Sequence, residues 1–212
     1  MFAVIFEVAP RPDRWDVYLG HAASLRPELL AINGFIANER YASKTRPGWL
    51  VSLSLWRNEK ALIRWRTHAL HHDIQGKGRS TVFSDYHLRV GEVTADTRAD
   101  TPLPQQRLDE TETGIAKAVV LSEFPAGTDP VQPTANVPMA ADRPMEADGL
   151  LEWDVFDSIT RPGVTLSVQS WRDLPAATAS IHGRAGDHRV VRIIRDYGMH
   201  VRHEAPQYFP PI

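Results

Sequence analysis

The segment Ser43-Lys44-Thr45-Arg46-Pro47-Gly48 occurs a second time as Ser158-Ile159-Thr160-Arg161-Pro162-Gly163. Trp56 follows the first copy and Trp171 follows the second, each eight residues after the glycine, so both features repeat with a spacing of 115 residues. A constant spacing between repeated features indicates an internal duplication. The 212-residue chain is therefore predicted to contain two copies of one structural unit.

A second block marks the end of each copy. Phe83-Ser84-Asp85-Tyr86 returns as Ile194-Arg195-Asp196-Tyr197, but with a spacing of 111 residues instead of 115. The second copy is therefore four residues shorter between the two blocks, which is about one turn of an α-helix. We expect the helix in this part of the second copy to be shorter than its counterpart.

The first copy has the pattern of a β-α-β-β-α-β unit. Aromatic and β-branched runs predict strands, and apolar residues at helical spacing predict helices. The predicted strands are residues 2–8, 35–42, 49–56 and 81–93, and the predicted helices are residues 14–32 and 59–75. Gly34 ends the first helix and Asn58 caps the second. This order of elements is the ferredoxin-like pattern.

The second copy is predicted to be a degenerate version of the same unit. Strands are expected at residues 115–124, 150–156, 164–171 and 190–203, with a short helix after Asp173. Where the first helix would lie, five prolines occur from Pro125 to Pro144. Because each proline removes a backbone donor and clashes with the preceding turn, we expect this segment to be mostly irregular.

A single unit of this kind covers one face of its antiparallel sheet with helices and leaves the other face bare. We therefore predict an α+β fold in which two tandem ferredoxin-like βαββαβ units pair face to face as an intramolecular pseudo-dimer, with a cavity between the sheets. The predicted boundaries are a first domain at 1–95, a linker at 96–112 and a second domain at 113–212. A further homodimer of whole chains stays open.

The composition excludes several classes of function. A net charge of −2 and a pI near 6.5 give no basic surface for nucleic acid. The chain has no cysteine, so it can form neither a disulfide nor a thiolate metal site. No apolar run approaches the ~20 residues of a membrane span, and the N-terminus lacks a signal-peptide pattern. We therefore expect a cytoplasmic protein with no nucleic-acid or membrane partner.

Several segments of the first copy resemble a known family. Residues 56–65 read Trp-Arg-Asn-Glu-Lys-Ala-Leu-Ile-Arg-Trp, and His71, Gly78-Arg79 and Val82-Phe83-Ser84-Asp85-Tyr86 follow in order. Together they resemble the antibiotic biosynthesis monooxygenase domain of the dimeric α/β-barrel superfamily, over most of residues 1–95. The second copy matches more weakly, through Trp171-Arg172, His182 and Asp196-Tyr197.

The resemblance implies two different chemistries. The cofactor-free oxygenases of this family use an Asn and a Trp four residues apart on the third strand. Here the Trp is Trp56, and the Asn position holds Ser52, which offers one hydroxyl where an amide offers more hydrogen bonds. The haem-degrading relatives use a Trp at the position of Trp65 and an axial His ten residues later, where this chain has Gln75.

The densest group of titratable side chains is His68, His71, His72 and Asp73. His68 and His72 are four residues apart and so share one helical face. At about 100° per residue, Trp65 and His72 point in nearly the same direction and His71 points away. We therefore predict that His72 faces a pocket beside Trp65. The alternative is that these histidines lie half-exposed at the border of the helix, and a metal site lacks a further ligand at a definable spacing.

Asn38 and Tyr41 lie on opposite faces of the second predicted strand, so only one of them can face a cavity. We predict Asn38, because an amide on this strand is best explained by a polar lining. Its counterpart in the second copy is Trp153, which would fill the equivalent space, so that a working pocket is expected in the first copy alone. Trp56 and Trp171 can instead serve the core, as aromatic residues at strand ends commonly do.

The residues and the resemblance together predict a cofactor-independent monooxygenase that acts on a small aromatic or phenolic substrate, with neither cofactor nor metal. The predicted catalytic residues are His72, Asn38, Trp56 and Trp65, and the predicted substrate-binding residues are Ser52, His68 and His71. Two alternatives stay open: a haem-binding or haem-degrading protein that uses His71 or His72, and a non-catalytic binding or scaffold protein of the same fold. The predicted partner is a small-molecule substrate.

Overall fold

The computed structural model describes residues 1–108, 113–128, 148–184 and 186–210. The strands of the first unit are β1 (Phe2–Pro10), β2 (Phe35–Ser43), β3 (Leu50–Trp56) and β4 (Phe83–Asp96). Its helices are α1 (Trp15–Ala31), α2 (Glu59–Arg66) and α3 (Ala69–Lys77), and a π-helical turn at Gly78–Val82 follows α3. The strands of the second unit are β5 (Ala118–Phe124), β6 (Leu150–Ser158), β7 (Thr165–Trp171) and β8 (Asp187–Gly198). Its helix is α4 (Leu174–Ala179).

Each unit forms a four-stranded antiparallel sheet. The strand order is β4-β1-β3-β2 in the first unit and β8-β5-β7-β6 in the second. β2 pairs with β6 and β4 pairs with β8, and these two seams close all eight strands into one barrel. The predicted fold class is confirmed, because two tandem ferredoxin-like units pair within one chain. The domain boundaries at residues 95 and 113 stay a prediction.

Two features of the fold relate to the sequence-based expectations about helices and membranes. Most of the proline-rich segment from Pro125 to Pro144, which we expected to be irregular, lies outside the described residues. No helix in the described ranges is long and apolar enough to cross a membrane.

The repeat in the sequence is also a repeat in local geometry. Gly34 and Gly149 have φ angles of 97° and 93°, a left-handed conformation that glycine adopts without strain. The carbonyl of each accepts a 2.8 Å hydrogen bond from the backbone N–H that follows β3 or β7. Asn58 and Asp173 cap α2 and α4, and each side chain accepts a hydrogen bond from the backbone N–H three residues further on. The two units therefore fold by the same local rules.

The helical region after β3 differs from the sequence-based prediction. The predicted continuous helix at 59–75 is wrong, because α2 ends at Arg66 and α3 begins at Ala69. Thr67 lies at the break, and its hydroxyl donates a 2.9 Å hydrogen bond to the carbonyl of Ile63, a contact that bends helices. In the second unit the described residues form only the six-residue α4 there, which agrees with the predicted shortening.

The interior of the barrel is packed with side chains from alternate positions of the strands. Five of the largest are at most 1% exposed: Ile5, Tyr41, Leu121, Phe156 and Leu166. An eight-stranded barrel leaves an interior just wide enough for side chains to fill. The prediction of a cavity between the two sheets is therefore wrong, because side chains of the core fill that space.

The opposite face of the first sheet packs beneath its helices. Phe2 and Trp56 of the sheet cluster with Leu29 of α1 and Leu62 of α2. Burial of each large apolar side chain of this kind stabilises the fold by about 1.5–3 kcal/mol. This layer between sheet and helices, and not the space between the two sheets, is where an internal cavity can form.

Arg46 of the repeated turn joins the two units across the β2–β6 seam. It contacts Glu7 of its own unit at 2.5 Å and Asp154 of the other unit at 2.8 Å. Arg89, which is 1% exposed, forms a second ion pair with Glu7 inside the barrel. Burial alone would raise the pKa of Glu7, but Arg89 and Arg46 outweigh it and hold that pKa below its ordinary value. Glu7 therefore stays charged inside the barrel.

Arg161, the second copy of the same arginine, makes the reciprocal bridge. It contacts Glu123 of its own unit at 2.7 Å and Glu39 of the other unit at 3.1 Å. Burial would raise the pKa of Glu123, but hydrogen bonds from Arg161 and other partners lower it to about 2. Each arginine of the repeated turn therefore reaches a carboxylate of the other unit.

Replacing Arg46 by Ala should lower the free energy of unfolding by about 2–3 kcal/mol, because Glu7 and Asp154 would stay buried with fewer partners. Urea-induced unfolding measures this difference. The matched control is Lys44→Ala, since Lys44 pairs with Asp157 across the same seam but both side chains are about half exposed. That control should lose no more than about 1 kcal/mol. Equal losses in the two variants would contradict a special role for the Arg46 bridge.

Candidate active site

A cavity of about 200 Å³ lies between the first unit's sheet and its helices. Alternation along β1 places Phe6 on this side of the sheet, whereas its neighbour Glu7 points into the barrel. Leu88 and Val90 of β4 line the cavity beside Phe6, and α1 contributes apolar side chains such as Leu25. Most of the lining is therefore apolar, as in typical binding sites for small molecules.

The sheet side of the cavity carries one polar pair. The Nδ2 of Asn38 donates hydrogen bonds to the Oγ of Ser52 at 3.0 Å and to the carbonyl of Leu53 at 3.1 Å. Asn38 and Ser52 both line the cavity, whereas Tyr41 is buried in the barrel interior. Among the described residues the amide Oδ1 of Asn38 has no hydrogen-bond donor, so this acceptor is available to a ligand.

Trp65 and His71 form a stacked pair on the helix side of the cavity. Their ring centroids are 4.2 Å apart with an angle of 16° between the planes. The Nδ1 of His71 lies 2.9 Å from the carbonyl oxygen of Trp65. Because a carbonyl can only accept, Nδ1 must carry the hydrogen, and Nε2 is left with a lone pair. Burial lowers the pKa of His71 to about 4, so the ring is neutral at pH 7.

The expected partnership of Trp65 with His72 is wrong. His72 is exposed and does not line the cavity, and its ring stacks instead on Phe209 at a centroid distance of 5.1 Å. His68, at the start of α3, lies 3.5 Å from Glu28 and also stands outside the lining. The break between α2 and α3 interrupts the count of about 100° per residue, so the histidine that meets Trp65 is His71.

Trp56 lies in the core beneath the helices and does not line the cavity. It is fully buried, and its indole nitrogen donates a 3.0 Å hydrogen bond to the Oγ of Ser54. In the second unit the indole nitrogen of Trp153 donates a 3.1 Å hydrogen bond to Ser167, in the way that Asn38 donates to Ser52. An indole thus occupies the place of the amide.

Positive charge on the cavity wall was not expected from the sequence. Four arginines line the cavity, and they are Arg40, Arg66, Arg79 and Arg202. Among the described lining residues there is neither an Asp nor a Glu. Burial lowers the pKa of Arg66, and its Nε is buried without a hydrogen-bond partner in the described structure. These arginines lie far apart in the chain, so no local sequence pattern could have brought them together.

The wall of the cavity is completed by residues 199–210, which we call the C-terminal segment. It leaves β8 of the second unit and lies against the helices of the first. Gln207 donates a 3.0 Å hydrogen bond to the carbonyl of Arg66, and Phe209 stacks on His72. Arg202, Gln207 and Phe209 all line the cavity. The predicted strand at 190–203 is too long, because β8 ends at Gly198, and the contribution of this segment to the pocket was not expected from the sequence.

Comparisons with known proteins show which family, relative and solved structures the chain is similar to. A model of the family described as antibiotic biosynthesis monooxygenase matches residues 1–77. The chain is 46% identical over 221 residues to a protein of Pyricularia oryzae named jasmonate monooxygenase ABM, covering 100% of this chain and 99% of that protein. Among solved structures it is similar to Rv0793 from Mycobacterium tuberculosis, with 20% identity, a TM-score of 0.39, and coverage of 50% of this chain and 98% of that chain. An anthrone oxidase-like protein has 13% identity and a TM-score of 0.37, with coverage of 97% and 96%.

The ring of His71 should titrate near pH 4 in the folded protein, well below its ordinary value of 6.5. A lowered pKa means that the unfolded chain takes up the proton first, so the stability due to neutral His71 is complete above about pH 6.5 and is lost as the pH falls to about 4. NMR titration of the histidine rings measures the pKa, and unfolding at several pH values measures the loss.

His71→Gln should remove this part of the pH dependence, because glutamine does not titrate. The control is His182→Gln, since His182 is exposed in the second unit and its replacement should leave the pH profile unchanged. A His71 ring that titrates near 6.5 would contradict the buried, neutral ring.

Proposed function

The chain belongs to the antibiotic biosynthesis monooxygenase family, and we propose that it is a monooxygenase whose substrate is a small, largely apolar carboxylic acid bound in the cavity of the first unit. The relative with 46% identity is named a jasmonate monooxygenase. Jasmonate is a carboxylate on a largely apolar body that also carries a ketone, so the substrate named for that relative falls within the proposed class.

The observation that carries this proposal is the charge of the cavity wall. Among the described residues, the wall of this largely apolar space has four arginines and no carboxylate. Removing a guanidinium from water without a counter-charge is costly, and a carboxylate matches its forked donors in both charge and geometry. An organic acid would place its charged end on arginines of this wall and its apolar body against residues such as Phe6 and Leu88.

The polar pair and the stacked pair suggest how the body of the substrate is held. Asn38 and Ser52 offer hydrogen bonds to a ketone or hydroxyl oxygen, and the Nε2 of His71 can accept a hydrogen bond. A pKa of about 4 makes His71 a weak base at neutral pH, so we assign it the orientation of the substrate more than the storage of a proton. Trp65 forms the flat wall behind it.

The oxygen balance limits what can happen without a cofactor. If one oxygen atom of O2 replaces a C–H by C–OH, the second atom becomes water only when a reductant supplies two electrons. If a CH2 group becomes C=O, the substrate itself supplies all the electrons and water is the only other product. The cofactor-independent route that we predict therefore favours oxidation of an activated CH2 group, beside a carbonyl or on an electron-rich ring.

The stacked rings are the observation that keeps an aromatic or phenolic acid among the candidates. The planes of Trp65 and His71 offer a flat surface of the kind that ring substrates pack against. Haem has less support, because Gln75 occupies the position where the resemblance places the axial histidine. A Soret band on haem titration would favour the haem alternative.

The purified protein should consume O2 with jasmonate and leave its methyl ester largely unreacted, because the ester has no negative charge for the arginines. O2 consumption is measured with an oxygen electrode and the product is identified by mass spectrometry. Both measurements are made with and without added NADPH or ascorbate. A product with one more oxygen and two fewer hydrogens, formed without reductant, fits the cofactor-independent route. Turnover of neutral phenols in preference to acids would contradict the proposed substrate class. No turnover of any of them would favour the scaffold alternative.

A matched pair of variants tests the site itself. His71→Gln should lower kcat/KM by about 10–100-fold, because an orienting hydrogen bond next to the reacting centre is lost. His72→Gln should have a much smaller effect, since His72 lies outside the cavity lining. The reverse order would restore the catalytic role that the sequence predicted for His72.

A further inference from the structure

Two cavity-lining arginines, one from each unit, meet at a single uncharged oxygen. The Nη1 of Arg79 donates to the hydroxyl of Tyr86 at 2.7 Å, and the Nη1 of Arg202 donates to the same oxygen at 2.5 Å. Arg79 comes from the π-helical turn of the first unit, and Arg202 comes from the C-terminal segment that follows β8 of the second. Two like charges are thus held together in a partly buried place, where their repulsion is stronger than in water.

No negative group among the described residues of the cavity wall offsets this pair of charges. Arg79 is 4% exposed, and its Nε is buried without a hydrogen-bond partner in the described structure. Tyr197 lines the same end of the cavity, but burial raises its pKa to about 12, so it stays neutral. Phe209 lies near both guanidiniums, with its ring centroid 5.5 Å from each, and adds only the weak attraction of an aromatic face.

The Tyr86 hydroxyl is itself oriented as a donor by this arrangement. A phenol oxygen has two lone pairs and one hydrogen. Both lone pairs are used by Arg79 and Arg202, so the remaining O–H must point toward a third group. An anion placed there would receive one O–H donor and stand between two guanidiniums, which is the environment that a carboxylate requires.

We propose that Arg79, Arg202 and the Tyr86 hydroxyl form the subsite that binds the carboxylate of the substrate, and that the second unit completes the active site by supplying Arg202. This subsite rests on the proposed function, which makes the substrate an organic acid. Arg40 is the less suitable anchor, because its Nε is engaged with the Tyr18 hydroxyl at 3.3 Å and its guanidinium lies 5.9 Å from the centroid of the Tyr18 ring.

The subsite also couples ligand binding to the position of the C-terminal segment. Arg202 donates a 2.9 Å hydrogen bond to the carbonyl of Gln207, and Gln207 in turn donates to the carbonyl of Arg66. A carboxylate bound between Arg79 and Arg202 would relieve the repulsion between them and so stabilise this chain of contacts. The second unit, which has an indole where the first has Asn38, thereby keeps a role in the chemistry of the first.

The test compares an acid with its neutral ester in the full-length protein. Binding of jasmonate and of methyl jasmonate is measured by calorimetric titration, and kcat/KM is measured for whichever of them turns over. Arg202→Gln should weaken binding of the acid by about 10–100-fold and leave binding of the ester within about twofold, because only the charge-assisted hydrogen bonds are lost. Arg202→Lys should recover part of the acid binding.

Three further variants keep the test decisive. Tyr208→Ala changes a neighbouring aromatic residue that is 84% exposed, and it should leave both affinities unchanged. Arg40→Gln should alter the acid and the ester by the same factor. Tyr86→Phe keeps the ring but removes the shared oxygen, so it should reproduce the selective loss for the acid if Arg202→Gln proves unstable on thermal unfolding.

The outcomes separate this inference from the proposed function. If the unaltered protein binds and oxidises the acid, but Arg202→Gln and Tyr86→Phe weaken acid and ester equally, the carboxylate lies elsewhere and the subsite is wrong. If the unaltered protein binds no organic acid at all, the proposed substrate class fails and the subsite fails with it.

Discussion

Closure of the barrel is the constraint on which the rest of this structure depends. Each four-stranded sheet has an apolar face that cannot remain in water, and the eight strands bury these faces against each other with side chains that fill the interior. Arg46 and Arg161 stabilise the β2–β6 seam, because each forms an ion pair with a carboxylate of the other unit. The inner faces therefore form the core, and the cavity of the candidate site lies on the outer face of the first sheet, beneath the helices.

The two units use that outer face differently. In the first, α1, α2 and α3 stand over the sheet with space between, and the small polar side chains Asn38 and Ser52 form its floor. In the second, Trp153 occupies the place of Asn38 and the described helix is only six residues long. A duplicated fold can thus keep one copy as a site while the other copy supplies half of the barrel and, through the C-terminal segment, part of the wall.

The parts of this structure that the sequence predicted are those that depend on local signals. The helix end before Gly34, the Asn58 cap and the short helix after Asp173 are decided within a few residues, and so is the alternation that separates Asn38 from Tyr41. The parts that it missed depend on contacts between residues far apart in the chain, or on the angular position of a residue after several helical turns. A single break at Thr67 rotates everything after it, which is why His71 and not His72 reaches Trp65.

The charge of the cavity is the clearest case of a property that composition hides. The whole chain is slightly negative, yet its carboxylates and arginines are sorted in space. Glu7, Asp154, Glu39 and Glu123 are paired with Arg46 and Arg161 at the barrel seam, as the closure of the fold requires. The arginines of the cavity wall have no such partner among the described residues that line it. Unpaired buried charge destabilises a fold, and the carboxylate of the proposed substrate would supply the counter-charge that these arginines lack in the lining.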